Sequence, residues 1–565
     1  MWILGITIGH NGSACLFNDS EIIFHIEEER LSRVKYDSMP FLAIDLCYKY
    51  TGFIDHLAIS HVSDNLPYDD WSGDTIYTAY IRKKQPKKEF STHFFGSNHH
   101  RSHAATAFRN SGFQDCAVIV VDGAGSMITP QEIHHASAWE VESIWTATNP
   151  CGLTRRYINY GSNESCNTQM QDDTGNEIQI SDAHGIVKSY EAVTTFLGFH
   201  PIEAGKIMGL SPYGKENLDI KISNGRFNNR AFIQPGFPAT NHIFFDLESD
   251  IGQHRENTEW HKDPLKISDY HKDLAYAVQK SAEERVIMLI EKTLDITGKD
   301  KIAMGGGFAL NCVANYKYLK KFPHVKFYHE PNANDSGNCI GISRMIYSEI
   351  TNDTVVYPLT SLYLGPVVEN RYDESYLENF EVVNSTTPEV AKLIFENKIV
   401  AIFQGRSESG PRALGNRSIL FNPTVNNGKD LINEVKHREW FRPFAGSCLL
   451  DHAKEWFDMA NLEESPFMMY AVDVLADKRA QIPAIVHEDG TCRVQTVTWH
   501  QNTNFYRLID EFFKLSGVPI LFNTSFNLAG DPLCETLKDA LVTLENSKID
   551  YLWLPELDKL VSKRK

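Results

Sequence analysis

Short apolar runs, each closed by a turn rich in glycine and polar residues, set the pattern of the chain. Trp2–Ile8 ends in Gly9-His10-Asn11-Gly12-Ser13, and Ala14–Asn18 and Glu21–Glu27 read as the next two strands. Asn11-Gly12 is a hairpin signal between them. Cys116–Val121 runs into Asp122-Gly123-Ala124-Gly125-Ser126, and Ile302–Met304 runs into Gly305-Gly306-Gly307. Further on, Ile399–Phe403, Ile482–His487, Asp489–Thr496 and Pro519–Asn527 read as strands. The period changes to that of a helix over Ser268–Thr297, where Leu274, Val278, Ala282, Val286, Leu289 and Leu294 share one face and Ser268 suits the cap. Shorter helices are expected over Pro388–Asn397 and Leu431–Arg438, with an acidic helix and loop over 369–385. Two stretches, 127–190 and 216–267, lack clear periodicity and read as polar loops, the expected carriers of specificity. Strands alternating with helices predict an α/β protein, with one domain over 1–365 and a second over 366–565.

Composition narrows the partners. The 565 residues carry 55 Lys and Arg against 73 Asp and Glu, a formal net charge of −18. That balance argues against broad binding to nucleic acid or to a membrane surface. No apolar run reaches the length of a membrane span, and Met1–Ile8 reads as a strand rather than a leader. Ten scattered cysteines without a C-x-x-C pair point to free thiols in a reducing cytoplasm.

Two groups of residues carry chemistry. In Asn98-His99-His100-Arg101-Ser102-His103, Asn98 suits a helix cap, and His99 and His103 then lie one turn apart on one face. That spacing presents two imidazoles to one metal. Asp122 at a strand end and Asp335 in Asn334-Asp335-Ser336-Gly337 complete a mixed nitrogen and oxygen set suited to iron, manganese or zinc. The second group lies in Phe403–Ser418, with Arg406, Arg412 and Arg417 among glycines, and in Lys436–Phe444, with Lys436 and Arg442; Arg493 is a further cation. Arginine forks onto phosphate and carboxylate oxygens, so these cations read as one pocket for small anions.

G-R-x-E-x-G-P-R-A-L-G-N-R-S-I-L followed by K-x-R-E-W-F-R-P-F-A resembles the C-terminal half of the O-carbamoyltransferase family. H-x-x-S-A at His10, the E-E-x-R run at Glu27, Glu28 and Arg30, G-G-x-x-L-N-C at Gly306–Cys312 and D-G-T-x-R-V-Q-T at Asp489–Thr496 extend the resemblance over nearly the whole chain. It implies an N-terminal actin-like (ASKHA) domain and a C-terminal YrdC-like α/β domain, similar to threonylcarbamoyl-adenylate synthases. It implies Fe2+, or another divalent metal, on His99, His103, Asp122 and Asp335. Nucleotide would meet Asp122, Gly123, Gly305, Gly306, Gly307 and Asn311, with Lys206 on phosphate and His100 on phosphate or the carbamoyl group. Carbamoyl phosphate and ATP with Mg2+ would react in the second domain, where Arg412, Arg417, Lys436, Arg442 and Arg493 are the expected anion contacts. His10 is the expected base on an acceptor hydroxyl. The acceptor is expected to be a small molecule; a hydroxymethylated base in DNA, or a tRNA base, is the alternative. One expected assembly is a homodimer.

Overall fold

The computed structural model describes residues 1–61, 75–95, 99–128, 137–162, 167–181, 185–218, 220, 222–223, 226–227, 267–367 and 372–564. It has two compact units. One comprises Met1–Ile23, Asp37–Asn311 and His324–Leu359; the other comprises Phe24–Tyr36, Cys312–Pro323 and Thr360–Lys565. The second unit therefore takes two short segments from earlier in the chain, besides everything beyond residue 360.

The first unit is built on two sheets of matching topology, the unit boundary after Ile23 falling within one strand of the first. The first contains β1 (Trp2–Thr7), β2 (Ser13–Asn18), β3 (Glu21–Glu27), β4 (His56–Ser60) and β5 (Ser91–Phe94), in the order β3-β2-β1-β4-β5. Strand β2 is antiparallel to β1, β4 is parallel to β1, and β5 is parallel to β4. The second is built on β6 (Asp115–Val121), β7 (Ala138–Thr148), β8 (Gly152–Ser162), β9 (Asn167–Gln171), β10 (Glu177–Ser181), β11 (Lys301–Gly305) and β12 (Lys326–His329). Its order is β9-β10-β8-β7-β6-β11-β12. The run β8-β7-β6-β11-β12 repeats the first sheet: β7 is antiparallel to β6, β11 is parallel to β6, and β12 is parallel to β11. This doubled mixed α/β order is that of the actin-like nucleotidase fold.

Each half ends in an equivalent helix. Helix α1 (His99–Ser111) follows β5, and α2 (Asn338–Thr351) follows β12. Three alanines let α1 be covered on two sides. Ala105 joins Ile3, Phe17, Ala58, Ile342, Met345 and Ile346, while Ala104, Ala107 and Phe108 join Cys116, Val118, Val120, Trp145 and Ala303. The two helices approach so closely that a Cβ on Gly341 would stand 2.1 Å from Thr106 Oγ1 and 2.4 Å from Thr106 Cα.

The second unit is one ten-stranded sheet. Its strands are β13 (Phe380–Asn384), β14 (Val400–Phe403), β15 (Arg417–Phe421), β16 (Ala445–Leu449), β17 (Phe457–Asp458), β18 (Ala471–Val474), β19 (Thr491–Val497), β20 (Ile520–Ser525), β21 (Tyr551–Leu554) and β22 (Lys559–Lys563). The order is β13-β22-β21-β14-β15-β20-β16-β19-β18-β17.

Several expectations change. The stretch 127–190 is not loop: it supplies β7 to β10 and the helix Ile186–Phe196. Strand β7 is covered on both faces, with Glu140, Glu142 and Ser143 buried among its apolar residues, so no alternation marks it. Residues 380–384 form β13 rather than a loop, and the acidic segment before it is a short 3-10 helix, Glu374–Asn379. Ile482–His487 is not a strand. Pro483 interrupts it, and Ile485 N turns back onto Ile482 O. The helix expected over Leu431–Arg438 lies over Gly428–Val435, ahead of the cations. The long helix runs Asp269–Thr297 with Ser268 at its cap, as the spacing predicts. The nine described cysteines are free thiols.

Gly341→Ala should lower stability by about 1–3 kcal/mol, because a methyl group there must separate α1 from α2. Gly52→Ala, where a Cβ meets nothing within 4 Å, is the control and should be near neutral. Denaturant unfolding of the two variants checks this.

Candidate functional site

Four side chains from three strand or helix ends meet in the first unit. Helix α1 presents His99 and His103 from successive turns; Asp122 follows β6, and Asp335 precedes α2. The Nε2 atoms of His99 and His103 lie 3.0 Å apart. Asp335 Oδ1 lies 3.4 Å from His99 Nε2 and 3.2 Å from His103 Nε2. Asp122 Oδ2 lies 3.4 Å and 3.8 Å from the same two nitrogens. One ligand atom from each of the four lies within 4.8 Å of the others. Donors bonded at about 2.1 Å to a tetrahedral metal centre stand roughly 3.4 Å apart, so the spacing fits a small divalent cation. Burial opposes ionisation of Asp122 and Asp335, but the imidazoles outweigh it and hold both carboxyls below their usual range. Burial likewise opposes protonation of His99, and Asp335 and Asp122 outweigh it and hold its pKa well above that of a free imidazole.

The supports of this cluster are backbone and side-chain bonds. Asp122 Oδ1 accepts from Gly307 N at 2.9 Å. Gly306 has φ +81, and a Cβ there would stand 2.4 Å from Val121 O, so the triple glycine lets this loop close on β6. The first amides of α1 are answered from the β6–β7 loop. Ser126 Oγ accepts from His99 N at 3.0 Å, while Glu140 Oε2 accepts from His100 N at 3.2 Å and from Ser126 N at 3.0 Å. Asn98, the expected cap, lies outside the described residues. Glu140 was missed because its segment shows no strand pattern.

Other expected contacts divide. His10, on the turn after β1, lies 3.6 Å from Asp335 Oδ2 through Nε2, and its Nδ1 is 2.6 Å from Asn11 Oδ1. His100 is buried, and burial holds it well below the usual imidazole range. Gly123 lies in the β6–β7 loop, where a Cβ would meet Glu191 Oε1 at 2.5 Å. Asn311 pairs reciprocally with Gln279, at 3.0 Å and 3.2 Å. Lys206 does not join the cluster: it pairs with Glu203 at 2.7 Å and lies over the Phe199 ring. The segment 228–266, most of the second expected specificity loop, lies outside the described residues.

The second unit gathers the cations. Glu408, fully buried, accepts from the backbone N–H of Leu414, Asn416 and Arg417 at 2.7, 2.9 and 3.3 Å, which shapes the arginine-rich loop. Arg412 and Arg493 lie in one field with Arg438 and Arg442. Burial first, and then Arg493 and Arg442, push Arg412 down to about 9. Burial and then Arg442 push Arg438 well below its usual range, with Arg493 and Arg412 adding to the effect. Burial lowers Arg493 as well. Each of these four residues is half-buried rather than sealed in the core. Glu439, 3.4 Å from Arg442, offsets part of this charge. Arg438 was quoted in the motif but not singled out.

Two arginines are used differently from expectation. Arg417 donates to the carbonyls of Gln404, Asn416, Gly405 and Glu535 and lies 3.9 Å over the Phe403 ring. Arg406 donates to the carbonyls of Gly365 and Leu364. Both sit where buried carbonyls need donors, and they brace the loop. Lys436 is held by Asn527 O at 2.8 Å, Asn527 Oδ1 at 3.2 Å and both oxygens of Ser525. Burial, then Arg438 and Arg442, hold it well below the usual ammonium range.

These features define a two-unit α/β protein with a histidine–aspartate centre in one unit and a cluster of cations in the other. The chain belongs to the carbamoyltransferase family and is a transferase: residues 58–343 match the carbamoyltransferase N-terminus and residues 391–562 the carbamoyltransferase C-terminus. It is 29% identical to nodulation protein NolNO of Sinorhizobium fredii, over 97% of this chain and 78% of the relative. It is 29% identical to an uncharacterized protein of Methanocaldococcus jannaschii, over 98% of both chains. Nodulation protein U of Rhizobium tropici is 34% identical over 48% of this chain and 45% of its own length. Among solved structures, full-length HypF in its phosphate- and nucleotide-bound form aligns at TM-score 0.37, 12% identity, covering 62% of this chain and 56% of that one. Component A of the Acidaminococcus fermentans (R)-2-hydroxyglutaryl-CoA dehydratase aligns at TM-score 0.32, 14% identity, covering 62% and 98%. No helix among the described residues is long and apolar enough to cross a membrane.

Like charges crowded at Arg412, Arg438, Arg442 and Arg493 oppose folding. Arg438→Met should therefore raise the stability of the free protein by ~1–2 kcal/mol. The same change should remove most of the thermal stabilisation given by added pyrophosphate. Thermal unfolding with and without pyrophosphate checks both.

Proposed function

We propose that the protein is an ATP-dependent O-carbamoyltransferase that forms carbamoyl adenylate in its second unit and transfers the carbamoyl group in its first. The crowding of Arg412, Arg438, Arg442 and Arg493 around one cleft carries this reading. Arg412, Arg438 and Arg493, lowered first by burial and then by neighbouring guanidiniums, favour a polyanion, and ATP with carbamoyl phosphate supplies one. In the cleft a water molecule displaces phosphate from carbamoyl phosphate; the carbamate oxygen so formed attacks the α-phosphorus of ATP, the bond to the β-phosphate's bridging oxygen breaks, and pyrophosphate leaves. Fixed cations stabilise the charge that builds on these oxygens without reorganising.

In the first unit, His10 takes the proton of an acceptor hydroxyl, the hydroxyl oxygen attacks the carbamoyl carbon, and AMP leaves. Asp335, next to His10 Nε2, favours the imidazolium that results. His99, His103, Asp122 and Asp335 would hold a divalent cation, Fe2+ by family resemblance, which when bound supplies Lewis-acid polarisation of a carbonyl or phosphoryl oxygen. The acceptor is a small hydroxylated molecule; the net charge of −18 disfavours a nucleic acid.

The two steps should be separable by mutation. Arg442→Ala and Lys436→Ala should lose pyrophosphate release from ATP and carbamoyl phosphate by about 2–4 kcal/mol of transition-state stabilisation. His10→Ala should keep that release and lose carbamoyl transfer by about 10²–10⁴-fold. Unfolding curves alongside separate chemistry from misfolding. Normal pyrophosphate release in Arg442→Ala would remove the cleft from the reaction, and wild-type transfer in His10→Ala would remove the base.

A further inference from the structure

The helix pair α1 and α2 carries its metal ligands at one end, and its later turns line a recess. Phe108 and Arg109 of α1, Arg344 and Tyr347 of α2, Phe17 of β2 and Phe113 form its walls. The recess measures about 360 Å³ counted to its open mouth, near the lower limit of the roughly 300–1,000 Å³ of small-molecule sites. Arg344 is only 8% exposed, yet among the described residues it pairs with no carboxylate. Glu330 feels its charge, but that carboxyl is bonded to Asn110, Tyr328 and Asn332. A buried guanidinium without an ion-pair partner is unusual and costly.

The bonds of Arg344 are one-sided. Its Nη1 donates to Arg109 O at 3.1 Å, Asn110 Oδ1 at 2.9 Å and Tyr357 O at 2.7 Å. Its Nε is buried and bonds to nothing among the described residues, and Nη2 makes no bond there either. Nε and Nη2 form the side-on edge of a guanidinium, which takes a carboxylate through two parallel bonds. We propose that this recess binds a small carboxylate with a planar apolar body, its oxygens on the Nε–Nη2 edge of Arg344 and its body against Phe17, Phe108 and Phe113. Arg109, 5.2 Å over the Phe108 ring, adds a second positive charge at the wall. The site shares no residue with the histidine–aspartate centre or with the cations of the second unit. A ligand there bridges the later turns of α1 and α2 and so favours the packed pair.

The test uses the full chain, with benzoate as probe and benzamide as its uncharged counterpart. Calorimetry reads affinity, and peptide-resolved hydrogen–deuterium exchange reads location. With pyrophosphate present to occupy the cations of the second unit, benzoate should still bind and should slow exchange over 343–358. Benzamide should bind about 10-fold more weakly or worse, as expected when a charge-assisted bond is lost. Arg344→Lys keeps the charge without the fork and should weaken benzoate by a similar factor. Nη1 of Arg344 also braces α1, so Arg109→Gln, which should weaken benzoate by roughly 3-fold, takes the place of Arg344→Lys if that variant does not fold. Three results would each overturn the proposal: no slowed exchange over 343–358 in the wild type, equal affinity for benzoate and benzamide, or wild-type benzoate affinity in the folded arginine variant.

Discussion

Gly341 on α2 faces Thr106 on α1 at a distance that leaves no room for a methyl group, and the histidine–aspartate cluster depends on that approach. With the helices in contact, the start of α1 and the residues just before α2 meet. His99, His103 and Asp335 then stand 3.0–3.4 Å apart through their polar atoms. The doubled topology adds a second pair of positions. Asp122 follows β6 as His10 follows β1, and both point their side chains at this meeting place. A fold built twice thus brings two helix starts and two strand ends to one point. Elements of the fold other than the ligands also serve it. The alanines of α1 allow packing on both sides, and the glycines at 306 and 341 remove side chains where backbones approach.

The second unit solves a different problem. Its cations repel one another, and the neighbouring loop is braced largely through backbone amides and carbonyls, with Glu439 offsetting part of the charge. Glu408 spends one carboxylate oxygen on three amides of the loop, and Arg406 and Arg417 bind carbonyls. Arg412, Arg438, Arg442 and Arg493 lie in one electrostatic field. On the proposed function, an anion bound among these cations would offset that repulsion.

Much of this was legible in the sequence where chemistry and pattern coincide. His99 and His103 sit one helical turn apart, and Asp122 ends an apolar run before glycines, so the cluster could be drawn before any coordinates. Arg412, Lys436, Arg442 and Arg493 stood out as cations amid an acidic chain. What was hidden has physical causes. Strand β7 buries Glu140, Glu142 and Ser143 on a sheet covered from both sides, so its polarity reads as loop. The caps of α1 come from Ser126 and Glu140, which are distant in sequence from the amides they serve. Arg417 and Arg412 look alike in the motif; only the structure shows that Arg417 is a brace on backbone carbonyls. The doubling of the first unit lies in strand order and direction, which no residue repeat records.

The central claim is that the helix pair assembles a site for one divalent cation. Metal analysis of the purified wild-type chain, beside Asp335→Asn and the His99→Ala/His103→Ala double variant, tests it most directly. One metal ion per wild-type chain, lost in the double variant and reduced in Asp335→Asn while all three proteins remain folded, is the predicted result. Equal metal content in the wild type and the double variant would contradict it.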